Sequence, residues 1–170
     1  GMTLAHIGVG VFAIGISLTT AFSVEKQVRM APGDHQLIGG YDFRFDGVID
    51  VRGANYVAQR GLITVLKDGL PVSRLEPEKR TYQIQQNPMT EAGIEAGLMR
   101  DLYVSLGEPL DDGRSWGLRL YFKPFIRWIW LGALLIAFGG LIAAFDRRYR
   151  SQSGIRNHPP SAATTPSVGI

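Results

Sequence analysis

Two long apolar segments flank a region in which apolar and polar residues alternate. Residues 1–24 contain no Asp, Glu, Lys or Arg, and residues 128–145 are equally free of charged side chains. Crossing a bilayer core of about 30 Å takes about 20 helical residues. The pattern therefore predicts two transmembrane helices, at 1–24 and 125–145, with a domain of residues 25–124 between them.

The middle region has the period of two that is typical of half-buried strands. Apolar and charged residues alternate from Tyr41 to Asp46, and strand-forming residues run from Tyr56 to Leu66, followed by a hairpin turn at 68–69. The other predicted strands cover residues 48–51 beyond a bulge at Gly47, 70–72, 81–85, 101–106 and 116–122. Six or seven short strands predict an all-β domain, either a small barrel, with an OB-like barrel as one candidate, or a sandwich.

Three shorter segments are interpreted as follows. Residues 91–99 could form a short helix capped by Thr90, although two glycines inside this segment weaken that prediction. His35 lies in a turn and is interpreted as a surface loop residue without a function. The tail, residues 146–170, is rich in Ser, Pro, Thr and Gly and is predicted to be disordered.

The distribution of charge predicts the orientation of the chain in a membrane. Acidic and basic side chains nearly cancel in residues 25–123, so the net charge of +3 comes from arginines around the second apolar segment. The cluster at 147–150 follows that segment directly, and the positive-inside rule places it in the cytoplasm. Two crossings then leave both ends cytoplasmic and the β domain outside. A near-neutral β domain also argues against nucleic acid as a partner.

His6 is the candidate site residue, because it is the ionisable side chain of the first apolar segment. Such a residue either forms a hydrogen bond with a neighbouring helix or binds a ligand, and both interpretations stay open. Gly10, one turn along, leaves space beside the imidazole, and Gly1, Gly8 and Gly15 form a stripe suited to close helix packing or to a flat cofactor. Packing is the more frequent role of such small residues, but His6 beside this space favours a haem, since imidazole is a common axial ligand of haem iron. A second ligand would have to come from another helix.

Signatures of independent catalysis are absent from the sequence. It has no phosphate-binding glycine loop, no nucleophile elbow and no HExxH motif. The absence of Cys also excludes disulfides and thiolate metal sites within this chain. We therefore predict no catalytic residue. Because the chain starts inside an apolar segment, without an initiator Met or a basic leader, we expect it to belong to a longer membrane protein.

Several stretches of the sequence together carry a resemblance to a known family. They are GMTLAHIG in the first apolar segment, PMTEAGI and DLYVSLGE in the middle region, and RWIWLG and DRRYR around the second segment. In this order they resemble the C-terminal portion of CcmF, a family of cytochrome c-type biogenesis proteins. The resemblance covers residues 1–150.

The resemblance implies a haem lyase subunit of the bacterial inner membrane that helps to attach haem covalently to apocytochrome c. The implied partners are the haem chaperone CcmE, the protein CcmH, which handles apocytochrome c, and the lipid bilayer. Members of the family hold a b-type haem between two transmembrane histidines, and His6 matches the second of these. The resemblance thus makes haem b the cofactor and His6 an axial ligand of its iron.

The tryptophan-rich haem-handling motif of the family, its external histidine pair and its first haem histidine have no counterpart in this chain. We therefore expect this portion to be inactive by itself, as one part of a haem lyase complex. The alternative function is that of a membrane-anchored β domain that acts only as a docking or scaffolding module, without a cofactor.

Overall fold

The computed structural model describes residues 1–84 and 87–145, in which two long helices flank ten strands. The helices are α1, Met2–Phe22, and α2, Ile126–Phe145. The strands are β1, Val24–Met30; β2, His35–Ile38; β3, Tyr41–Arg52; β4, Tyr56–Lys67; β5, Leu70–Leu75; β6, Glu78–Tyr82; β7, Pro88–Glu91; β8, Gly93–Ala96; β9, Arg100–Leu110; and β10, Ser115–Pro124. The tail that was predicted to be disordered lies outside the described residues.

The strands form two antiparallel sheets. One sheet has the order β1-β10-β9-β8, and the other has the order β2-β3-β4-β6-β7, with β5 paired to β4. Side chains from both sheets meet in one apolar core, whose members are Met30, Ile38, Phe43, Phe45, Ile63, Val65, Leu75, Leu102, Val104, Leu106, Trp116, Leu118 and Leu120. The predicted all-β domain between two apolar helices is confirmed, and of the two predicted architectures it takes the form of a sandwich.

Alternating burial explains why the longest strands form where the sequence predicts them. In β3, Phe43 and Phe45 are fully buried while their neighbours in the strand are more exposed. Burying each such side chain contributes roughly 1.5–3 kcal/mol. The pairing of β3 with β4 shifts between Phe45 and Gly47, and Gly47 has a φ of +129°. The predicted bulge at this glycine is therefore confirmed.

The short helix considered for residues 91–99 is wrong. Residues Gly93–Ala96 form β8, in which Ile94 pairs with Tyr103 of β9. A Cβ atom at Gly93 would lie 3.0 Å from the backbone nitrogen of Glu76, so the close approach of the neighbouring chain favours glycine here. Sheet pairing therefore overrides a helical preference that its glycines already weakened.

The interpretation of His35 as a loop residue is also wrong. His35 begins β2 and pairs with Arg44 of β3, and its Nδ1 atom lies 2.7 Å from Oδ2 of Asp42. The hairpin closes through Gly39 and Gly40, whose φ values of +58° and +78° are in the left-handed region. His35 is thus part of a hairpin and has a hydrogen-bonding partner, Asp42, on the next strand.

The two helices pack against each other through glycines. A Cβ atom at Gly8 would lie 2.7 Å from the backbone nitrogen of Ile136, and one at Gly139 would lie 2.5 Å from that of Ala5. Many of the bulky apolar side chains, such as Ile7, Ile14 and Phe138, are exposed away from this contact, and both helices are long and apolar enough to cross a membrane. This arrangement of small residues inside and large ones outside is typical of helices in lipid.

Both helices attach to the same end of the sandwich. α1 passes into β1 through Ser23, β1 pairs with β10, and β10 passes into α2 through Phe125. The Thr19 hydroxyl of α1 donates a 2.8 Å hydrogen bond to the Pro124 carbonyl at the end of β10. The helix pair is thus a direct continuation of two neighbouring strands.

Candidate functional site

His6 lies on the face of α1 that points away from α2. Residues advance by about 100° along an α-helix, so His6 is nearly opposite Gly8 and Gly15. These two glycines are buried against α2, whereas His6 is exposed. The glycine stripe is therefore occupied by helix packing, and it lies on the wrong face to make room for a cofactor at His6.

The imidazole of His6 has a defined hydrogen bond within its own helix. Its Nδ1 atom lies 2.8 Å from the carbonyl oxygen of Met2. Because a carbonyl only accepts hydrogen bonds, Nδ1 must carry the proton in this contact. A neutral imidazole then has its lone pair on Nε2, which is the arrangement that a metal-binding histidine requires.

The face that carries His6 has small residues along its middle. A Cβ atom at Gly10 would meet no other atom within 4 Å, and Ala13 and Ser17, which continue the same face, are exposed. Val9 and Ile14, which border this strip, are 54% and 50% exposed. Such a shallow channel between branched side chains fits a flat ring or a further helix.

His6 lies far from the sandwich. α1 continues unbroken from His6 to Phe22, which places the imidazole about 24 Å below the end of the helix at about 1.5 Å per residue. Ala5, its neighbour, is in contact with Gly139 in the later part of α2. Within residues 1–84 and 87–145, no group of three or more His, Cys, Asp or Glu side chains is placed to hold a metal ion.

The most buried ionisable side chain of the sandwich belongs to a structural ion cluster. The side chain of Glu78 is 6% exposed, and its two oxygens accept hydrogen bonds of 2.6 Å from Arg60 and 2.7 Å from Arg80. Burial acts to raise the pKa of Glu78, but the two arginines outweigh it and lower that pKa overall. The cluster ties β4 to β6 and offers no free acid or base.

Sequence reasoning missed one exposed apolar feature, the turn between β8 and β9. It contains Leu98 and Met99, which are 62% and 54% exposed. Interpreting residues 91–99 as a helix obscured this turn. Two adjacent apolar residues between Gly97 and the charged Arg100 are the sequence signal that could have revealed it.

A family model described as the CcmF C-terminal beta-sandwich matches residues 21–124. The chain belongs to the CcmF family. A CcmF protein of Haemophilus influenzae is 55% identical over 150 residues, which are 88% of this chain and 23% of the relative. The CcmF of Pseudomonas aeruginosa is 53% identical with the same coverage, and that of Escherichia coli is 45% identical over 95% of this chain and 25% of the relative.

A solved structure has the same fold. It is the "Cytochrome c Heme Lyase CcmF", which superposes with a TM-score of 0.68 and 17% sequence identity over 84% of this chain and 24% of that one. The predicted resemblance to the C-terminal portion of CcmF is thus confirmed. This chain spans about a quarter of the length of the curated relatives described above, which are named as cytochrome c-type biogenesis proteins.

Proposed function

We propose that this chain is the C-terminal, membrane-embedded part of a cytochrome c haem lyase subunit, in which His6 supplies one axial ligand to a b-type haem. The observation that carries the proposal is the hydrogen bond from Nδ1 of His6 to Met2, which leaves the Nε2 lone pair on an exposed helix face. The names of the relatives support the haem lyase context.

The residues around His6 fit a haem in three respects. Nε2 of His6 would bind the iron. The contact with the Met2 carbonyl would orient the ring and make Nε2 a stronger ligand for the metal. Gly10 leaves space beside the imidazole. A b-type haem supplies one-electron redox chemistry, which would serve to reduce the haem that is delivered to apocytochrome c. The second axial ligand would come from a helix outside this chain.

The proposed topology has residues 1–24 and 125–145 crossing the bacterial inner membrane. The sandwich, residues 25–124, would be periplasmic, and the arginine-rich tail, residues 146–170, would be cytoplasmic. Trp128 and Trp130 at the start of α2 support this placement, because tryptophan is enriched at membrane interfaces. His6 would then lie towards the cytoplasmic side of the membrane.

In this topology the sandwich is a docking or scaffolding module over the periplasmic surface. We propose CcmE, CcmH and apocytochrome c as the partners of the whole protein, as expected for the cytochrome c maturation system. The alternative function is docking alone, without a cofactor. It is supported by the glycine stripe of α1, which packs against α2 and leaves no room there for a cofactor.

The visible absorption spectrum of the detergent-purified full-length protein tests the proposal. His6→Ala should abolish or shift the bands of reduced b-type haem at an unchanged protein level, because the iron loses one ligand. Thr20→Ala is the matched control, since it removes an exposed polar side chain from the same helix far from His6. Identical spectra for the wild type and His6→Ala would refute the haem role and favour docking alone.

A further inference from the structure

The turn between β8 and β9 lies level with the start of α2. The backbone N–H of Phe125, which links β10 to α2, donates a 2.9 Å hydrogen bond to the carbonyl of Met99. In addition, Arg100 at the start of β9 pairs with Pro124 at the end of β10. The exposed side chains of Leu98 and Met99 therefore emerge where the second helix begins.

One carboxylate holds this turn in place. Oδ1 of Asp101 accepts a 2.9 Å hydrogen bond from the backbone N–H of Gly97 and lies 3.5 Å from Nε of Arg127. Asp101 thereby connects the turn to the first turn of α2. The apolar tip is thus fixed by polar contacts at its base, and its own side chains remain free to contact something else.

A groove of about 430 Å³ runs between this turn and α2. Its polar residues, Asp101 and Arg127, lie at the end nearest the sandwich, and Trp130, Leu131 and Leu134 continue it along the helix. The lining residues are Leu98, Asp101, Ile126, Arg127, Trp130, Leu131 and Leu134. A groove that is charged at one end and apolar along the rest matches the polarity of a phospholipid.

The large apolar side chains of α2 also fit a lipid neighbour. Trp130 is 71% exposed, and the same helix face continues through Phe138 and Leu141, at 57% and 54%. The side chain of Arg127 is 50% exposed, so its guanidinium is accessible to an anion. Arginine and tryptophan at the same level of a helix are typical of the headgroup region of a bilayer.

We propose that the Leu98–Met99 turn inserts into the periplasmic interface of the bilayer and that the groove beside it binds one phospholipid. The lipid phosphate would contact Arg127, and an acyl chain would lie along Trp130 and Leu134. This inference rests on the proposed function only in that α2 must cross the membrane. It gives the sandwich a third attachment to the bilayer, besides its two helices.

Fluorescence quenching in nanodiscs tests the insertion of the turn. The full-length protein, with any other cysteines removed, would carry one environment-sensitive label at Leu98→Cys, Leu110→Cys or Phe138→Cys. Leu110 is the control because it is an exposed leucine at the far end of β9, about 33 Å from Arg100 at about 3.3 Å per residue. Phosphatidylcholine with a nitroxide on its acyl chain should remove most of the emission at positions 98 and 138 and leave that at 110 unchanged.

The three labels separate the possible failures. An iodide-accessible label at position 138 would show that α2 does not cross the membrane, which refutes the proposed topology and this inference together. A shielded label at position 138 with an unquenched one at 98 would refute the insertion alone. A blue-shifted but unquenched label at 98 would also refute it, because a protein would then cover the turn.

The phospholipid in the groove is tested by its retention on purified protein. Arg127→Gln should lose one tightly held phospholipid per protein, as measured by the phosphorus content after extensive detergent washing. Arg119→Gln is the control, since this arginine is equally exposed, at 51%, but lies on β10 in the sandwich. Equal phosphorus content in the wild type and Arg127→Gln would refute binding in the groove.

Discussion

The sandwich and the helix pair distribute large and small side chains in opposite ways. Phe43 and Phe45 are fully buried in the sandwich, while Phe138 of α2 is 57% exposed. The residues buried between the helices are glycines, such as Gly8 on α1 and Gly132 on α2. The sandwich thus has the side-chain distribution of a domain in water, and the helix pair has the distribution that is typical of helices in lipid.

The difference shows which force holds each part together. Removing apolar surface from water stabilises the sandwich, and it needs large side chains inside. Between two helices in lipid this force is absent, so association depends on close contact, for which residues without a Cβ atom are best. The same substitution should therefore have different consequences in the two regions.

The largest expected difference is between Phe43→Ala and Phe138→Ala. The first leaves a cavity in the core and should cost about 3–5 kcal/mol of the free energy of unfolding of the sandwich. The second removes a side chain that points away from the helix pair and should leave the sandwich unchanged. Hydrogen exchange of β3 and β4 in the full-length protein measures both, and equal losses of protection would contradict the comparison.

The next largest effect is expected between two adjacent glycines of α2. Gly139→Leu would push a side chain into the backbone of Ala5 and should weaken helix packing by about 1–3 kcal/mol. Gly140→Leu is the matched control, because a Cβ atom there meets no other atom within 4 Å. Thermal stability of the detergent-solubilised full-length protein should fall only for the first variant, and a similar fall in both would contradict glycine packing.

The smallest of these effects concerns the ion cluster of the sandwich. Glu78→Gln should cost about 1 kcal/mol at neutral pH, because Arg60 and Arg80 lose a charged acceptor although the amide oxygen still accepts a hydrogen bond. Since the pKa of Glu78 is lowered in the folded state, its stabilising contribution is present above its ordinary value of 4.5 and is lost as the pH falls through the folded pKa. The difference in stability between the wild type and Glu78→Gln should therefore shrink in acid.

Glu25→Gln provides the control for this cluster. Glu25 is 56% exposed and lies 3.9 Å from Arg119, so its loss should change stability by less than about 0.5 kcal/mol at any pH. Denaturant unfolding of the full-length protein, followed by exchange in β4 and β6, measures both variants. If the difference in stability between the wild type and Glu78→Gln grew in acid, the direction given for the pKa shift of Glu78 would be wrong.

The sequence was most informative where periodicity is strong. The strands β3, β4, β9 and β10 were predicted because their apolar residues recur at the spacing that burial requires, and both helices were predicted because their segments are long and free of charged side chains. β1 was missed, since most of its residues are exposed and it becomes a strand only by pairing with β10. β2 was missed because it has four residues and depends on a glycine turn.

For the candidate site, too, the sequence could predict the residue but not the packing around it. His6 could be selected from the sequence because an ionisable group in an apolar helix is costly. The sequence could not show that the glycines of α1 pack against α2, because this contact depends on where Gly132 and Gly139 of α2 meet α1. The helix face on which a residue lies follows from its position in the sequence. The residues that it contacts there depend on packing between segments more than 100 residues apart.

The direct passage from α1 into β1 and from β10 into α2 also has a mechanical consequence. Because β1 and β10 pair with each other and continue into packed helices, the sandwich should move together with the helix pair when the helices tilt. Helices adapt to bilayer thickness by tilting. A change in tilt of about 10° would swing the far tip of the sandwich by about 6 Å over a strand of about 33 Å. Membrane thickness would thereby set the position of the proposed docking surface relative to the bilayer.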